Sequence, residues 1–151
     1  MHNVFGVGYQ SLNLEDLAAR REELGALIVD VRLKPWSNRH EWRRPHLAAR
    51  FRESYVHVES LGNINYKNGG PVLLKDERAG IADVMSMTAS CPVILLCACW
   101  DGEKCHRKNI MSKLTEYGLA CEELQKAKQP PEAPKKIEKP PPAPDPQGRL
   151  F

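Results

Sequence analysis

The fold is constrained most by two short runs in which apolar residues do not alternate with polar ones, ALIVDV at residues 26–31 and PVILLCAC at residues 92–99. A strand with one solvent-facing side alternates the two kinds of residue. Continuous apolar runs of this length therefore predict strands that are covered on both faces. Such strands occupy the middle of a mostly parallel sheet with helices on either side.

Further strand-like and helical patterns alternate with these two runs. Apolar residues at helical spacing between a capping Asn13 and a terminating Gly25 predict the first helix. The remaining predicted elements are strands at 4–8, 54–58 and 119–124 and helices at 77–89 and 105–118. This alternation predicts an α/β, Rossmann-like, mostly parallel sheet with helices on both faces. In such folds ligands bind beyond the carboxyl ends of the strands.

Residues 124–146 differ in composition from the rest of the chain. Eight of the twelve prolines lie between Pro130 and Pro146, among alternating lysines and glutamates. Such a segment buries too little apolar surface to offset the entropy lost on ordering, so we expect a disordered, semi-extended linker. The sequence thus predicts an α/β domain at 1–123, this linker at 124–146, and a short peptide at 147–151.

The cysteines and the first residues indicate a compartment. Five cysteines is an odd number, and the opening MHNVFGVGYQ has neither a basic start nor a long apolar stretch. Both features favour a reducing, cytoplasmic environment without disulfides. The longest uncharged run, Val84 to Trp100, is shorter than the roughly 20 apolar residues that a membrane helix needs. We therefore expect a soluble protein with no membrane contact.

Positive charge is concentrated in one segment. From Arg32 to Arg52, seven lysines and arginines stand against a single acid, Glu41, and Trp36 and Trp42 lie among them. Cations neutralise phosphates, and flat aromatic rings stack on unpaired bases. The alternative is a solvated, arginine-rich loop whose tryptophans anchor it to the core. Because the segment follows the carboxyl end of a strand, contact with DNA or a nucleotide is favoured, with Arg39 as one phosphate-binding residue.

The stretch LLCACWDGEKCHRKN, at residues 95–109, joins a predicted strand to a predicted helix. Its Cys97, Cys99, Cys105 and His106 superficially resemble a zinc site. Structural zinc sites, however, usually carry closely spaced cysteine pairs of the C-x2–4-C type, which are missing here. Strand cysteines are more often small buried hydrophobic residues. We expect no metal and no cofactor.

Cys105, His106 and Arg107 form a better candidate for chemistry. A helix that begins here presents unpaired N–H groups and the positive end of its dipole to an anion. Arg107 can donate a forked pair of hydrogen bonds to a phosphate, and His106 can act as an acid or base near neutral pH. The same field favours the nucleophilic thiolate form of Cys105. The alternative is a helix cap with a buried cysteine and two exposed polar residues.

Asp30 and Arg32, in the sequence DVR, stand at the end of the first buried run. An acid at the carboxyl end of a strand is a common catalytic position in α/β folds, but such a pair is also a common structural ion pair. Phosphatase and rhodanese-like domains carry DVR as well. They place an arginine at a fixed short distance after the nucleophilic cysteine, and no cysteine of this chain has an arginine in that register.

Four segments, in this order, resemble the bacterial family catalogued as domain of unknown function 488: FGVGYQSLNLEDL, LIVDVR, YVHVESLG and LLCACWDGEKCHR. The resemblance spans roughly residues 4 to 121 and implies a Rossmann-like domain whose motif residues converge at one end of the sheet. Those residues are Gly8, Tyr9, Asp30, Arg32, Tyr55, His57, Cys97, Cys105, His106 and Arg107. The family usually has a glutamate where this chain has Cys99. If that glutamate is the acid or base, this chain either uses Asp101 or Asp30 instead or has altered chemistry.

The segment QGRLF, at residues 147–151, resembles the pentapeptide by which bacterial DNA enzymes bind the β sliding clamp. Gln147, Leu150 and Phe151 match that pattern, whereas Gly148 and Arg149 do not. The two apolar side chains would fill a pocket and the glutamine would anchor the peptide, since a few buried anchors carry most of the affinity of such contacts. A position after a proline-rich linker is where a tethered clamp-binding peptide is expected.

These features lead to one hypothesis and two alternatives. The hypothesis is a DNA- or nucleotide-processing enzyme of a bacterium or phage, tethered to the clamp, that performs base excision or another reaction at a nucleoside. Its predicted catalytic residues are Asp30, Asp101, Cys105 and His106, and its predicted substrate- or phosphate-binding residues are Tyr9, Arg32, Arg39, His57 and Arg107. The alternatives are a non-catalytic, clamp-binding modulator of DNA replication or repair, and a cysteine-dependent redox or sulfur-transfer enzyme.

Overall fold

The computed structural model describes residues 1–65, 67, 70–98 and 106–124, and its centre is a five-stranded sheet. The strands are β1 (Val4–Gly8), β2 (Leu27–Asp30), β3 (Tyr55–His57), β4 (Val93–Cys97) and β5 (Cys121–Glu123). Their order across the sheet is β3-β2-β4-β1-β5, and every neighbouring pair is parallel. The predicted α/β class with a mostly parallel sheet is confirmed.

Helices cover both faces of the sheet. In the described part of the chain they are α1 (Leu14–Leu24), α2 (Arg44–Phe51), α3 (Glu77–Thr88) and α4 (His106–Glu116). Side chains of α1 and α2 join one hydrophobic cluster, and those of α3 and α4 join a second. Within β4, Ile94 and Leu96 belong to the first cluster, while Leu95 and Cys97 belong to the second. This strand is covered on both faces, as its apolar run predicts.

The direction in which the chain crosses the sheet reverses at β3. The chain runs from β1 through β2 to β3 in one direction and returns through β4 to β5 in the other. Because parallel crossovers are right-handed, this reversal places α1 and α2 on one face and α3 and α4 on the other. The connections that leave β1 and β2 therefore run to one face of the sheet, and the connection that leaves β4, which lies between them, runs to the other. In such sheets the carboxyl ends of strands whose connections separate in this way are the usual position of a ligand.

The register of the strands aligns their carboxyl ends. Gly8 of β1 pairs with Cys97 of β4. Asp30 of β2 pairs with Leu96 of β4 and with His57 of β3. The polar residues that the sequence places at the ends of strands consequently share one edge of the sheet.

The two edge strands of the sheet, β3 and β5, are shorter than the sequence predicts. A 3-10 turn at Arg52–Ser54 replaces the first residue of the third predicted strand, so β3 begins at Tyr55. The last strand lies at the sheet edge, pairs with β1, and covers Cys121–Glu123 of the predicted 119–124. Leu124, the first residue of the predicted linker, is buried in the first cluster, and its N–H donates to the carbonyl of Gly6 at 2.7 Å.

Some predictions concern parts of the chain outside the described residues. They are those on Cys99, Asp101, Cys105, the remainder of the linker at 125–146, and Gln147, Leu150 and Phe151. Among the helices of the described residues, none is both long enough and apolar enough to cross a membrane.

Candidate functional site at the carboxyl edge of the sheet

Asp30, the last residue of β2, is a fully buried carboxylate surrounded by donors. Its Oδ1 accepts hydrogen bonds from the backbone N–H of Arg32 at 3.2 Å and from Nε of Arg32 at 2.8 Å. Its Oδ2 accepts from Nη2 of Arg32 at 2.6 Å and from the hydroxyl of Tyr55, on β3, at 2.5 Å. Both oxygens are therefore engaged, and the carboxylate holds two side chains in place.

The same contacts fix the charges of the cluster. Burial by itself lowers the pKa of Arg32, but the hydrogen bonds and the charge of Asp30 outweigh it, and the net shift is upward. Burial and then the Asp30 carboxylate raise the pKa of Tyr55 well above its usual range. At neutral pH Arg32 is a permanent cation and Tyr55 a permanent donor. The predicted catalytic role of Asp30 stays a prediction, and acting as a base would require it to release one of these donors.

One donor atom of the Arg32 guanidinium has no hydrogen-bond partner among the described residues. The side chain of Arg32 is only 6% exposed, and the atom without a partner is the buried Nη1. A buried N–H without an acceptor costs about 1–3 kcal/mol. An acceptor atom brought by a ligand would recover that energy, because the other nitrogens of the guanidinium already hold it in position against Asp30.

The ring of Tyr9 lies near both the buried Arg32 and the exposed Arg39. The guanidinium carbon of Arg32 is 5.5 Å from the centroid of the Tyr9 ring, and that of Arg39 is 6.0 Å from it. The Tyr9 ring stacks on Trp42 with centroids 4.9 Å apart and planes 17° apart, and both rings are buried. Arg39 also pairs with Glu41 at 3.4 Å. Substrate contact by Tyr9 and Arg39 stays a prediction, and the structure places both beside Arg32.

Two histidines contact consecutive backbone carbonyls just beyond β2. Nε2 of His106, the first residue of α4, lies 2.9 Å from the carbonyl oxygen of Val31. Nε2 of His57, the last residue of β3, lies 2.7 Å from the carbonyl oxygen of Arg32. Because a carbonyl oxygen can only accept, both Nε2 atoms carry a proton and donate it.

The Nδ1 atoms of the two histidines have different surroundings. Nη1 of Arg44 lies 3.3 Å from Nδ1 of His57, and since a guanidinium can only donate, this Nδ1 accepts. Both ring nitrogens of His57 are therefore engaged. Within the described residues, no hydrogen bond reaches Nδ1 of His106. His106 thus keeps a lone pair with which it can take up a proton.

Arg107 is engaged on the other side of the sheet. Its Nε and Nη2 donate to the Glu123 carboxylate at 3.0 and 2.6 Å, and its Nη1 contacts Sγ of Cys97 at 2.8 Å. Gly6 makes room for this pair, since a Cβ at that position would lie 3.0 Å from Cδ of Arg107 and from Oε2 of Glu123. The paired guanidinium donors of Arg107, which the sequence analysis assigned to a phosphate, are used by a carboxylate. Phosphate binding by Arg107 therefore stays a prediction.

Glu123, the partner of Arg107, is not among the site residues predicted from the sequence. A signal for it exists in the segment CEEL, because alternate strand residues share a face and Glu123 therefore lies on the side of Cys121. Cys121 packs against the second hydrophobic cluster. An acid on a buried face calls for a cationic partner, and Arg107 at the start of the preceding helix supplies it.

The structure gathers most of the predicted site residues at one edge. Those around the end of β2 are Tyr9, Asp30, Arg32, Tyr55, His57 and His106. Arg39 lies at the exposed side of this group, and Arg107 lies beside Cys97. In the part of the chain that the structure describes, no three or more His, Cys, Asp or Glu side chains come close enough together to hold a metal ion.

Comparison with known proteins gives no match. No family model, no curated protein and no solved structure is significantly similar to the chain. The resemblance to the family of domain of unknown function 488 therefore stays a prediction, and the role of the site has to be inferred from its own residues.

Replacing Tyr55 with phenylalanine tests the anchoring of Asp30. The variant removes one hydrogen bond to a buried carboxylate while keeping the ring, and we expect the free energy of unfolding at pH 7 to fall by about 2 kcal/mol. Denaturant titration with far-UV circular dichroism measures the change. An unchanged unfolding energy would show that the hydroxyl does not support the carboxylate.

The pH dependence of that loss has a defined sign. Folding raises the pKa of Tyr55, so its contribution is complete below the unfolded pKa of about 10 and diminishes as the pH rises beyond it. The difference in unfolding energy between the natural chain and Tyr55→Phe should therefore be constant from pH 7 to about 9 and shrink above about pH 10. A difference that grows with pH would contradict the assigned direction.

Proposed function

We propose that this chain is a DNA- or nucleotide-processing protein of the cytoplasm. In this proposal the carboxyl edge of the sheet binds a phosphate-bearing nucleoside, and the segment 147–151 attaches the protein to the bacterial β sliding clamp. The reaction is base excision or another step at a nucleoside. The fold supports the location of the site, and the sequence pattern of Gln147, Leu150 and Phe151 supports the clamp.

The observation that carries the proposal is the buried, unpartnered Nη1 of Arg32. A guanidinium presents several donors in a fixed plane and matches the oxygens of phosphates and carboxylates. Asp30 uses Nε and Nη2 and fixes the plane, so a ligand oxygen at Nη1 meets a donor that is already oriented. The cations of Arg39 and Arg44 nearby add positive potential, which favours a phosphate over a neutral ligand.

His106 supplies the acid–base function in this proposal. Its Nε2 is fixed by the carbonyl of Val31, the residue next to the ion-paired Asp30, so Nδ1 has a defined direction. A neutral imidazole in that state can accept a proton from a hydroxyl or water and return it to a leaving group. The predicted partners in the same chemistry, Asp101 and Cys105, lie outside the described residues.

Two other functions have specific support. Full engagement of the Asp30 oxygens favours a domain that binds without catalysis, as a clamp-binding modulator would. The contact of Arg107 with Sγ of Cys97 favours a thiolate and hence cysteine chemistry, although Cys97 itself is fully buried. Turnover that survives the double change Cys97→Ser and Cys105→Ser would eliminate the redox alternative.

The Arg32→Lys variant tests phosphate binding. Lysine keeps the positive charge beside Asp30 but lacks Nη1, so binding of deoxynucleoside monophosphates or short DNA should weaken by about 10- to 100-fold, the range for one hydrogen bond to a charged group. Isothermal titration measures the affinity, and thermal melting checks the fold. Equal affinity of the two proteins would refute the role of Nη1.

The His106→Gln variant tests acid–base chemistry. Glutamine places a donor N–H near the position of Nε2 and can keep the bond to Val31, but it has no basic nitrogen. Turnover of a DNA substrate should fall by about 100-fold or more if His106 transfers the proton. His57→Gln should cost less, because Nδ1 of His57 already accepts from Arg44, and His2→Gln, far from this edge, should change nothing. Equal turnover in the natural chain and His106→Gln would refute the acid–base role of His106, and no turnover in either protein would favour the non-catalytic alternative.

The clamp contact is tested with purified β clamp and the full chain. Replacing Leu150 and Phe151 with alanine should weaken binding by about 30-fold or more, as loss of buried anchors does. Arg149→Ala, at a position that does not match the motif, is the control and should bind normally. An enzyme should keep its turnover of free substrate in the Leu150/Phe151 variant, whereas a modulator should lose its function altogether.

A further inference from the structure

The two tryptophans of the basic segment occupy opposite environments. Trp42 is fully buried and stacks on Tyr9, so it belongs to the core. Trp36 is 58% exposed, although it stands only six residues earlier. The sequence left open whether these rings anchor the loop or contact a ligand, and the structure divides the two roles between them. Only Trp36 is available to a partner.

The exposed indole is held in a fixed position. The guanidinium carbon of Arg43 lies 4.6 Å from the centroid of the Trp36 ring, and Nε of Arg43 donates to the carbonyl of Ser37 at 2.7 Å. The backbone N–H of Trp36 donates to the carbonyl oxygen of Lys34 at 2.7 Å, and the backbone N–H of Arg44 donates to the carbonyl oxygen of Pro35 at 3.1 Å. The loop is thereby tied to the first turn of α2. An arginine covers one face of the ring, and a large area of the indole remains in solvent.

Several cations of the segment that carries this ring have no ion-pair partner among the described residues. Arg39 and Arg50 each pair with a glutamate. By contrast, Lys34, Arg43 and Arg44 form no ion pair with any of the described residues. An exposed aromatic ring in a segment with several such cations is complementary to a base and its neighbouring phosphates.

The position of Trp36 relates it to the site. It follows Arg32 by four residues, and a chain of that length spans at most about 14 Å. A base on Trp36 and a phosphate oxygen at Nη1 of Arg32 can therefore belong to one short oligonucleotide. A base inside a duplex is already stacked on its neighbours and does not offer its face to a protein side chain, whereas an unpaired base does.

From these observations we infer that Trp36, with Arg43 over one face of its ring and Lys34 and Arg44 in the same segment, is a stacking platform for an unpaired base of single-stranded nucleic acid. This inference rests on the proposed function and specifies its substrate as a single strand or a flipped-out nucleotide. Stacking on Trp36 supplies contact with the base, the unpaired cations neutralise the backbone, and Arg32 binds a phosphate at the carboxyl edge of the sheet.

The test is a binding titration of the full chain with a fluorescently labelled oligothymidylate of about 12 nucleotides and with the matching duplex. We expect the single strand to bind more tightly than the duplex. Trp36→Ala should weaken single-strand binding by about 5- to 100-fold, the range for one stacked base, and Trp36→Phe should retain most of the affinity. Indole fluorescence should be quenched on binding in the natural chain, and this quenching should be lost in Trp36→Phe.

Tyr117→Ala provides the matched control. Tyr117 is an aromatic residue of similar exposure, 65%, but it follows the last turn of α4 and so lies at the opposite edge of the sheet. This variant should bind like the natural chain, and thermal melting should show that all variants are folded.

The outcomes separate this inference from the proposed function. If Trp36→Ala binds the single strand normally while Arg32→Lys weakens it, the platform is refuted and the phosphate site stands. If Trp36→Ala weakens binding while Arg32→Lys does not, the platform stands and the phosphate site fails. Equal affinity for duplex and single strand, or no binding of either oligonucleotide, overturns the inference.

Discussion

The carboxyl edge of the sheet depends on the buried ion pair between Asp30 and Arg32. A carboxylate without solvent is unfavourable by several kcal/mol unless donors and an opposite charge surround it. Arg32 supplies three of those donors from two residues along the chain, and Tyr55 supplies the fourth from the neighbouring strand. The pair thus fixes the end of β2, the start of the loop that follows it, and the plane of a guanidinium whose Nη1 has no partner among the described residues.

The start of α4 is attached to this edge by two successive residues that point in different directions. His106 reaches the carbonyl of Val31 beyond β2, and Arg107 reaches Glu123 on β5 and Cys97 on β4. The helix consequently ties the centre of the sheet to its edge strand. Any ligand that contacts His106 would be coupled to these contacts, so binding at the site and stability of the sheet edge are linked.

The site has one side that is enclosed by the protein and one side that is open to solvent. On the enclosed side, the cation of Arg32 is paired with Asp30 and lies against Tyr9, whose ring stacks on the core residue Trp42. On the open side, the loop that leads to α2 carries exposed cations and the indole of Trp36. In the proposed function, the enclosed donor would bind one phosphate of the ligand, and the basic surface would contact the rest of its chain.

The sequence by itself determined the class of fold and the edge at which to look. Apolar runs without alternation can be buried only inside a sheet covered on both faces, and the polar residues that end them must then share the carboxyl edge. Only the folded chain shows which of those residues keeps a hydrogen-bond donor or acceptor for a ligand. His57 and His106, Trp36 and Trp42, and Arg32 and Arg107 are pairs of the same residue type. The two members of each pair have different partners, and several of these partners come from other elements of the fold. Hydrogen-bond capacity depends on those partners, so a local sequence pattern does not contain it.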